Sequence, residues 1–185
     1  MARIFLVGYM GAGKSTLGKA LARRLTVPFI DLDAYIEAST HQTIRQIFAE
    51  RGEDGFRLLE RDKLHEVTES MGDAVVSCGG GTPCFFDNMD YMNRQGQTLL
   101  LDVSIDVLFR RLKHGTRKRP VLRDKTDDDL RQFIISNLEH RMPYYNQARY
   151  AVDASCLESR MQIASTVDET MRILGLAHHH SASIN

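Results

Sequence analysis

The chain has 185 residues, 43% hydrophobic and 26% charged, and its 24 basic and 24 acidic side chains cancel. That length makes one domain with a real core and is too short for two ordinary ones. The balanced charge gives no bias toward nucleic acid or a membrane surface, and no apolar run approaches the roughly 18 residues of a membrane span. Cys78, Cys84 and Cys156 contain no CxxC pair and suggest neither a disulfide framework nor a zinc site, so a reducing cytoplasm is expected. No signal peptide precedes the first strand-like run. Arg outnumbers Lys by 18 to 6, which favours two-pronged grips on carboxylate and phosphate.

In chain order, "RIFLV" (3–7) predicts a buried strand, and Leu17, Leu21 and Leu25 predict a helix over 14–26. "PFIDL" (28–32) is a second strand. A capping box from Thr43 to Gln46 opens a helix that stops at Gly52, and another helix covers 54–70. "AVVSC" (74–78) and "TLLLDV" (98–103) are the third and fourth strands, and "IDVLFRRLKH" (105–114) is an amphipathic helix. Residues 115–126 are basic and without period. "DDLRQFIISNLEHR" returns to helix, with Pro143 kinking or ending it. "YAVDA" (150–154) is a fifth strand and 158–174 a closing helix. Strand–helix alternation with right-handed crossovers implies a five-stranded parallel sheet covered on both faces, an α/β/α sandwich. Residues 1–175 form one domain. The tail from 176, with His178, His179 and His180, reads as a flexible polar terminus.

"GYMGAGKST" (8–16) fits G-x-x-x-x-G-K-[ST] between a strand and a helix, the required context. Glycines let successive amides face one anion, and the helix N-terminus adds its dipole. Lys14 reaches the β- and γ-phosphates, and the Ser15 hydroxyl suits Mg²⁺. No Asn-Lys-x-Asp of a guanine reader occurs, and the chain is short for a motor ATPase. A small ATP-using kinase remains, with a second pocket for an acceptor.

Four features surround that second pocket. Asp31 and Asp33, two apart at a strand end, face the same way. From spacing alone they are either a solvated turn with a helix-capping Asp or a magnesium-side carboxylate beside a base that orients a hydroxyl. Gly79, Gly80 and Gly81 are either a flexible turn or a place where backbone meets ligand. Arg57 with Glu60, and Arg141, taken alone read as surface residues. The basic run of Arg117, Lys118, Arg119 and Arg123 is either a solvated loop or a lid closing over ATP.

Taken together, "GYMGAGKST", "DLD", "GFRLLE", "SCGGG", "RRLKHGTRKRPVL" and "HRMPYY" resemble the shikimate kinase family, in its order and near its spacing, over about residues 2–155. The resemblance implies transfer of the γ-phosphate of ATP to the 3-hydroxyl of shikimate, in aromatic amino-acid biosynthesis. It implies Asp33 as base and hydroxyl ligand, and Arg57 and Arg141 on the shikimate carboxylate. Gly79, Gly80 and Gly81 supply backbone contacts, with Gly80 foremost. Gly11, Ala12, Gly13, Lys14, Ser15 and Thr16 hold ATP, Lys14 and Arg119 act on the phosphates, and Arg111 lies near adenine. Ser15 is the protein ligand of Mg²⁺, with Asp31 behind its waters. Two departures accompany the match: Tyr9 stands in the loop where Phe or Pro is usual, and "DASCLESR" lacks the usual adenine-side Arg, leaving only Arg160 nearby. A monomer is expected, with no nucleic-acid or membrane partner. The alternatives are a kinase for another polyol acid such as gluconate, or a nucleotide-binding protein that does not turn over.

Overall fold

The computed structural model describes residues 3–115 and 126–176. Among them the chain runs β1 (Arg3–Val7), α1 (Lys14–Leu25), β2 (Phe29–Asp31), α2 (Leu32–Thr40), α3 (Ile44–Ser70) and β3 (Ala74–Ser77). A 3₁₀ turn (Thr82–Cys84), α4 (Asn88–Gln95), β4 (Gln97–Asp102), α5 (Ile105–Gly115), α6 (Asp127–Tyr145), β5 (Tyr150–Asp153) and α7 (Arg160–Ile173) follow. The strands lie in the order β2-β3-β1-β4-β5, and all their pairings are parallel. Helices flank this sheet as the expected α/β/α sandwich. β1 and β3 are buried nearly end to end, as strands covered on both faces must be. The core joins Phe5, Leu17, Leu21, Ile36, Leu64 and Leu99, all fully buried.

The predicted strands and the predicted capping box at Thr43 appear where the sequence places them, and the structure adds a second box at α7. Thr43 and Gln46 cap each other reciprocally at the start of α3, and Ser159 and Gln162 do so at α7. Gly52 takes φ 69° and ψ −175° and breaks the helical path, so α3 is two helical pieces joined at a kink.

Three elements differ from the expectation. Residues 32–40 form a helix, capped by the Asp31 side chain on the Ala34 amide at 3.4 Å. Asp33 therefore stands in a helix's first turn, not on a strand end, and the two-residue strand argument for Asp31 and Asp33 fails. Residues 88–95 add α4, whose sequence "NMDYMNRQ" is short and mostly polar and so carries too few apolar residues to set a visible period. Pro143 does not end α6, which runs on to Tyr145. Tertiary contact sustains that last turn: Tyr145 is buried and its hydroxyl donates to the Gly80 carbonyl at 2.6 Å.

β1 lies at the centre of the sheet, and successive elements wind away on either side of it. In such sheets ligands bind beyond the carboxyl ends of the strands. Here those ends carry the phosphate loop after β1, Asp31 as the last residue of β2 and the glycine triplet after β3. The expected lid and its Arg119, like the His-rich tail, lie outside the described residues.

Candidate active site

One cleft of about 810 Å³ collects Gly11, Gly13, Lys14, Ser15 and Thr16 on one side. Asp33, Arg57, Glu60, Arg141 and the three consecutive glycines line the other.

The phosphate side follows from the loop's backbone. Gly13 has φ 99°, in the left-handed region, and a Cβ there would stand 2.5 Å from Leu157 Cδ1. It caps α1 without any side-chain hydrogen bond, which leaves the first-turn amides open to the cleft. Lys14 Nζ donates to the carbonyls of Gly8 at 2.7 Å and Tyr9 at 3.0 Å, folded back over its own loop. Ser15 Oγ donates to Asp31 Oδ2 at 2.9 Å. Ala12 is buried and lines a second, mostly apolar cavity. Arg111 is engaged on both flanks of the cleft. It donates to the carbonyls of Gly11 and Ala12 at 3.4 Å and of Ala154 and Ser155 at 3.0 Å, and it pairs with Glu158 at 3.1 Å. It thus ties the phosphate loop to the loop after β5, whose Leu157 and Glu158 also line the cleft.

The acceptor side is built on α3 and the glycine triplet. Arg57 and Glu60 are far from a surface pair: their side chains are 11% and 1% exposed, and Nη1 meets Oε2 at 2.8 Å. The ring centroids of Phe85, Phe56 and Phe48 lie 4.2, 5.1 and 5.9 Å from the Arg57 guanidinium carbon. Nη2 reaches Glu53 at 3.3 Å, while the buried Nε has no hydrogen-bond partner among the described residues. A buried donor left unpaired is costly. Arg141 is half-buried and lies over the Tyr9 ring at 5.5 Å.

Each glycine of the triplet leaves room for a different charged group. A Cβ at Gly79 would stand 2.9 Å from Glu60 Oε1 and 3.0 Å from Asp33 Oδ1. One at Gly80 would stand 3.2 Å from Arg141 Nη1, and one at Gly81 2.6 Å from Arg57 Nη2. A Cβ would clash at Gly79 and Gly81 and be tight at Gly80, and both arginines converge on this triplet.

Asp33 is open to the cleft, yet the walls leave it little bulk water. That desolvation, with Glu60 and Asp31 nearby, outweighs the attraction of Lys14 and raises its pKa from 3.8 to about 6. A carboxyl poised near neutrality suits a group that takes a proton at working pH.

The predicted site residues therefore meet in one cleft, apart from Ala12, which lines the second cavity, and Arg119, which lies outside the described residues. Sequence reasoning missed Thr82 and Tyr145 beneath the triplet and the Phe48, Phe56 and Phe85 surround of Arg57. No local pattern marks them, because the two pieces of α3 and the segment after the 3₁₀ turn bring those rings together.

Comparison with known proteins bears on the family of the chain. The family model for shikimate kinase matches residues 10–172. A shikimate kinase from Bacteroides thetaiotaomicron is 57% identical over 176 residues, covering 95% of this chain and 100% of that protein. Its 1.7 Å crystal structure superimposes with a TM-score of 0.92, covering 95% and 99% of the two chains. A shikimate kinase from Acinetobacter baumannii, solved in complex with shikimate, is 30% identical with a TM-score of 0.81, covering 96% and 95%. A phosphate loop facing a paired-arginine pocket, with a family model spanning most of the sequence, has one reading: the chain belongs to the shikimate kinase family.

Proposed function

We propose that the cleft divides phosphoryl transfer between two walls, with the residue roles given below. The reaction itself is ATP-dependent phosphorylation of shikimate, a step of aromatic amino-acid biosynthesis. The observation that carries the division of roles is Arg57: buried among three aromatic rings, fixed by Glu60, and holding its Nη1 and Nη2 against Gly81 of the glycine triplet. Such a planar donor suits a carboxylate.

Arg57 and Arg141 grip the shikimate carboxylate, and the amides of Gly79, Gly80 and Gly81 contact the ring substituents. Asp33 accepts a hydrogen bond from the 3-hydroxyl, orients it, and takes its proton as the oxygen attacks the γ-phosphorus. The bond from that phosphorus to the bridging oxygen breaks, and ADP leaves. On the opposite wall the loop amides of Gly11 to Thr16 hold the phosphates. Lys14 gives up its two loop carbonyls for phosphate oxygen. Arg111 braces the nucleotide end of the cleft through its backbone contacts on both flanks. Arg119 acts on the transferred group.

Mg²⁺ fits the donor set. Ser15 Oγ and Asp31 Oδ2 are hard oxygens 2.9 Å apart at the base of the loop. Mg²⁺ favours one or two protein oxygens, with waters and substrate phosphates completing its shell. When bound it would offset the negative charge of the phosphate oxygens. Ser15 would be the direct ligand and Asp31 would hold its waters.

Among the described residues no helix is long and apolar enough to cross a membrane. We infer a cytoplasmic monomer made of one domain over residues 1–175, acting on small molecules without nucleic-acid or membrane partners. A coupled ADP-release assay with Mg-ATP, offering shikimate, gluconate and AMP separately, tests the acceptor. Release with shikimate alone is expected. Release with gluconate, or with no acceptor, would overturn the reading of the acceptor wall. Sedimentation of the free protein tests the monomer, and a dimer at assay concentration would overturn it.

A further inference from the structure

Glu60 holds Arg57 through one carboxylate oxygen, Oε2. Its other oxygen is held as well. Thr82 Oγ1 donates to Glu60 Oε1 at 2.5 Å, and Thr82 is wholly buried. Thr82 is itself fixed from both ends of its backbone. Its amide donates to the Gly79 carbonyl at 3.1 Å, and its carbonyl accepts from Asn88 Nδ2 at 2.9 Å. Asn88 is fully buried at the start of α4. A buried chain thus runs from α4 through the 3₁₀ turn to α3: Asn88, Thr82, Glu60, Arg57.

We propose that Thr82, backed by Asn88, is a positioning residue for shikimate binding, setting the Glu60 carboxylate so that Arg57 faces the acceptor pocket. The proposal rests on the reading of Arg57 as a carboxylate ligand.

The physical reason is torsional. A glutamate paired through one oxygen can still rotate about its terminal bond, and a guanidinium that follows it loses its aim. A second hydrogen bond at the other oxygen removes that rotation. The arrangement also sets the spacing of the acceptor wall. Thr82 follows the glycine triplet directly, so the residue that aims Arg57 belongs to the same turn as the amides facing the substrate. α3 and the triplet loop are thereby kept in register by one hydroxyl. Thr82 touches neither substrate in the proposed arrangement, so its effect passes wholly through Glu60 and Arg57.

The test compares Thr82→Val, which keeps the shape and removes the hydroxyl, with Thr82→Ser, which restores it. Arg57→Lys is measured alongside, and steady-state kinetics are run with each substrate varied separately. Thr82→Val is expected to raise the shikimate KM about tenfold, the loss of one charge-assisted hydrogen bond, with the ATP KM within about twofold of the parent. Thr82→Ser is expected to return the shikimate KM to near the parent value. Calorimetric titration of the free proteins with shikimate should show the same ratio without turnover. If Arg57→Lys raises the shikimate KM while Thr82→Val leaves it unchanged, the positioning role is wrong and the Arg57 reading stands. If Arg57→Lys leaves the shikimate KM unchanged, the reading beneath the proposal has failed. Equal rises in both KM values for Thr82→Val, or no rescue by serine, would mean general loosening of the fold and would also overturn it.

Discussion

Gly81 and Arg57 compete for one volume: a Cβ on Gly81 would stand 2.6 Å from Arg57 Nη2 and 2.8 Å from Cζ. The guanidinium cannot simply step aside, because Glu60 and three aromatic rings hold it. Gly81→Ala is therefore expected to push Arg57 off its line and raise the shikimate KM by about ten- to a hundredfold, the range of one lost hydrogen bond to a charged group. The ATP KM should stay near the parent value. Steady-state kinetics on the two substrates check this, and a rise in the ATP KM alone would contradict it.

Asp33 is expected to matter for turnover and little for nucleotide. Asp33→Asn keeps the shape and removes the proton acceptor, so kcat should fall by about 10²- to 10⁴-fold. ATP affinity by calorimetry should stay within about twofold, since the side chain lies on the acceptor wall. Equal loss of turnover and ATP affinity would argue that Asp33 belongs to the nucleotide site.

The raised pKa of Asp33, about 6, carries a sign for activity. The base must be ionised to accept a proton. kcat/KM for shikimate should therefore fall about tenfold per pH unit below that value and level off above it. A flat profile from pH 5 to 8 would contradict the assignment.

The same shift carries a sign for stability. Asp33 binds its proton more tightly in the folded state than in the unfolded chain, whose carboxyl titrates near 3.8. Between about pH 4 and 6 the folded state holds more proton, so stability from this group is present at low pH and is lost as pH rises through 6. Asp33→Asn should raise the melting temperature at pH 8 and have little effect at pH 4. A melting temperature lowered at pH 8 would contradict that account.

Arg111 joins the phosphate loop to the loop after β5 through four backbone carbonyls. Arg111→Met keeps much of the stem and removes every donor. The ATP KM should rise about tenfold or more while the shikimate KM changes less than about threefold. The reverse pattern would show that Arg111 serves the acceptor wall.

Much of this protein is legible along the chain. The loop "GYMGAGKST" is local: its glycines, its lysine and the following helix start all lie within nine residues, so sequence alone carries its geometry. The strands and the capping box at Thr43 are equally local, since alternation and capping act over a few residues. The sequence also placed Gly79 to Gly81 at the working edge of the sheet.

Only the tertiary structure decided what Arg57, Glu60 and Asp33 are. Along the chain Arg57 and Glu60 are three apart, the spacing of a common exposed ion pair. Burial under Phe85 and against the glycine triplet turns them into a fixed donor and its anchor. Asp33 looks like a residue of a turn, and its raised pKa arises from walls that other segments supply. Pro143 reads along the chain as a kink or an end of its helix, and only the fold shows that α6 runs on to Tyr145. The division has one physical cause. Backbone conformation and capping depend on near neighbours, whereas burial, field and aim depend on residues that meet only once the chain has folded.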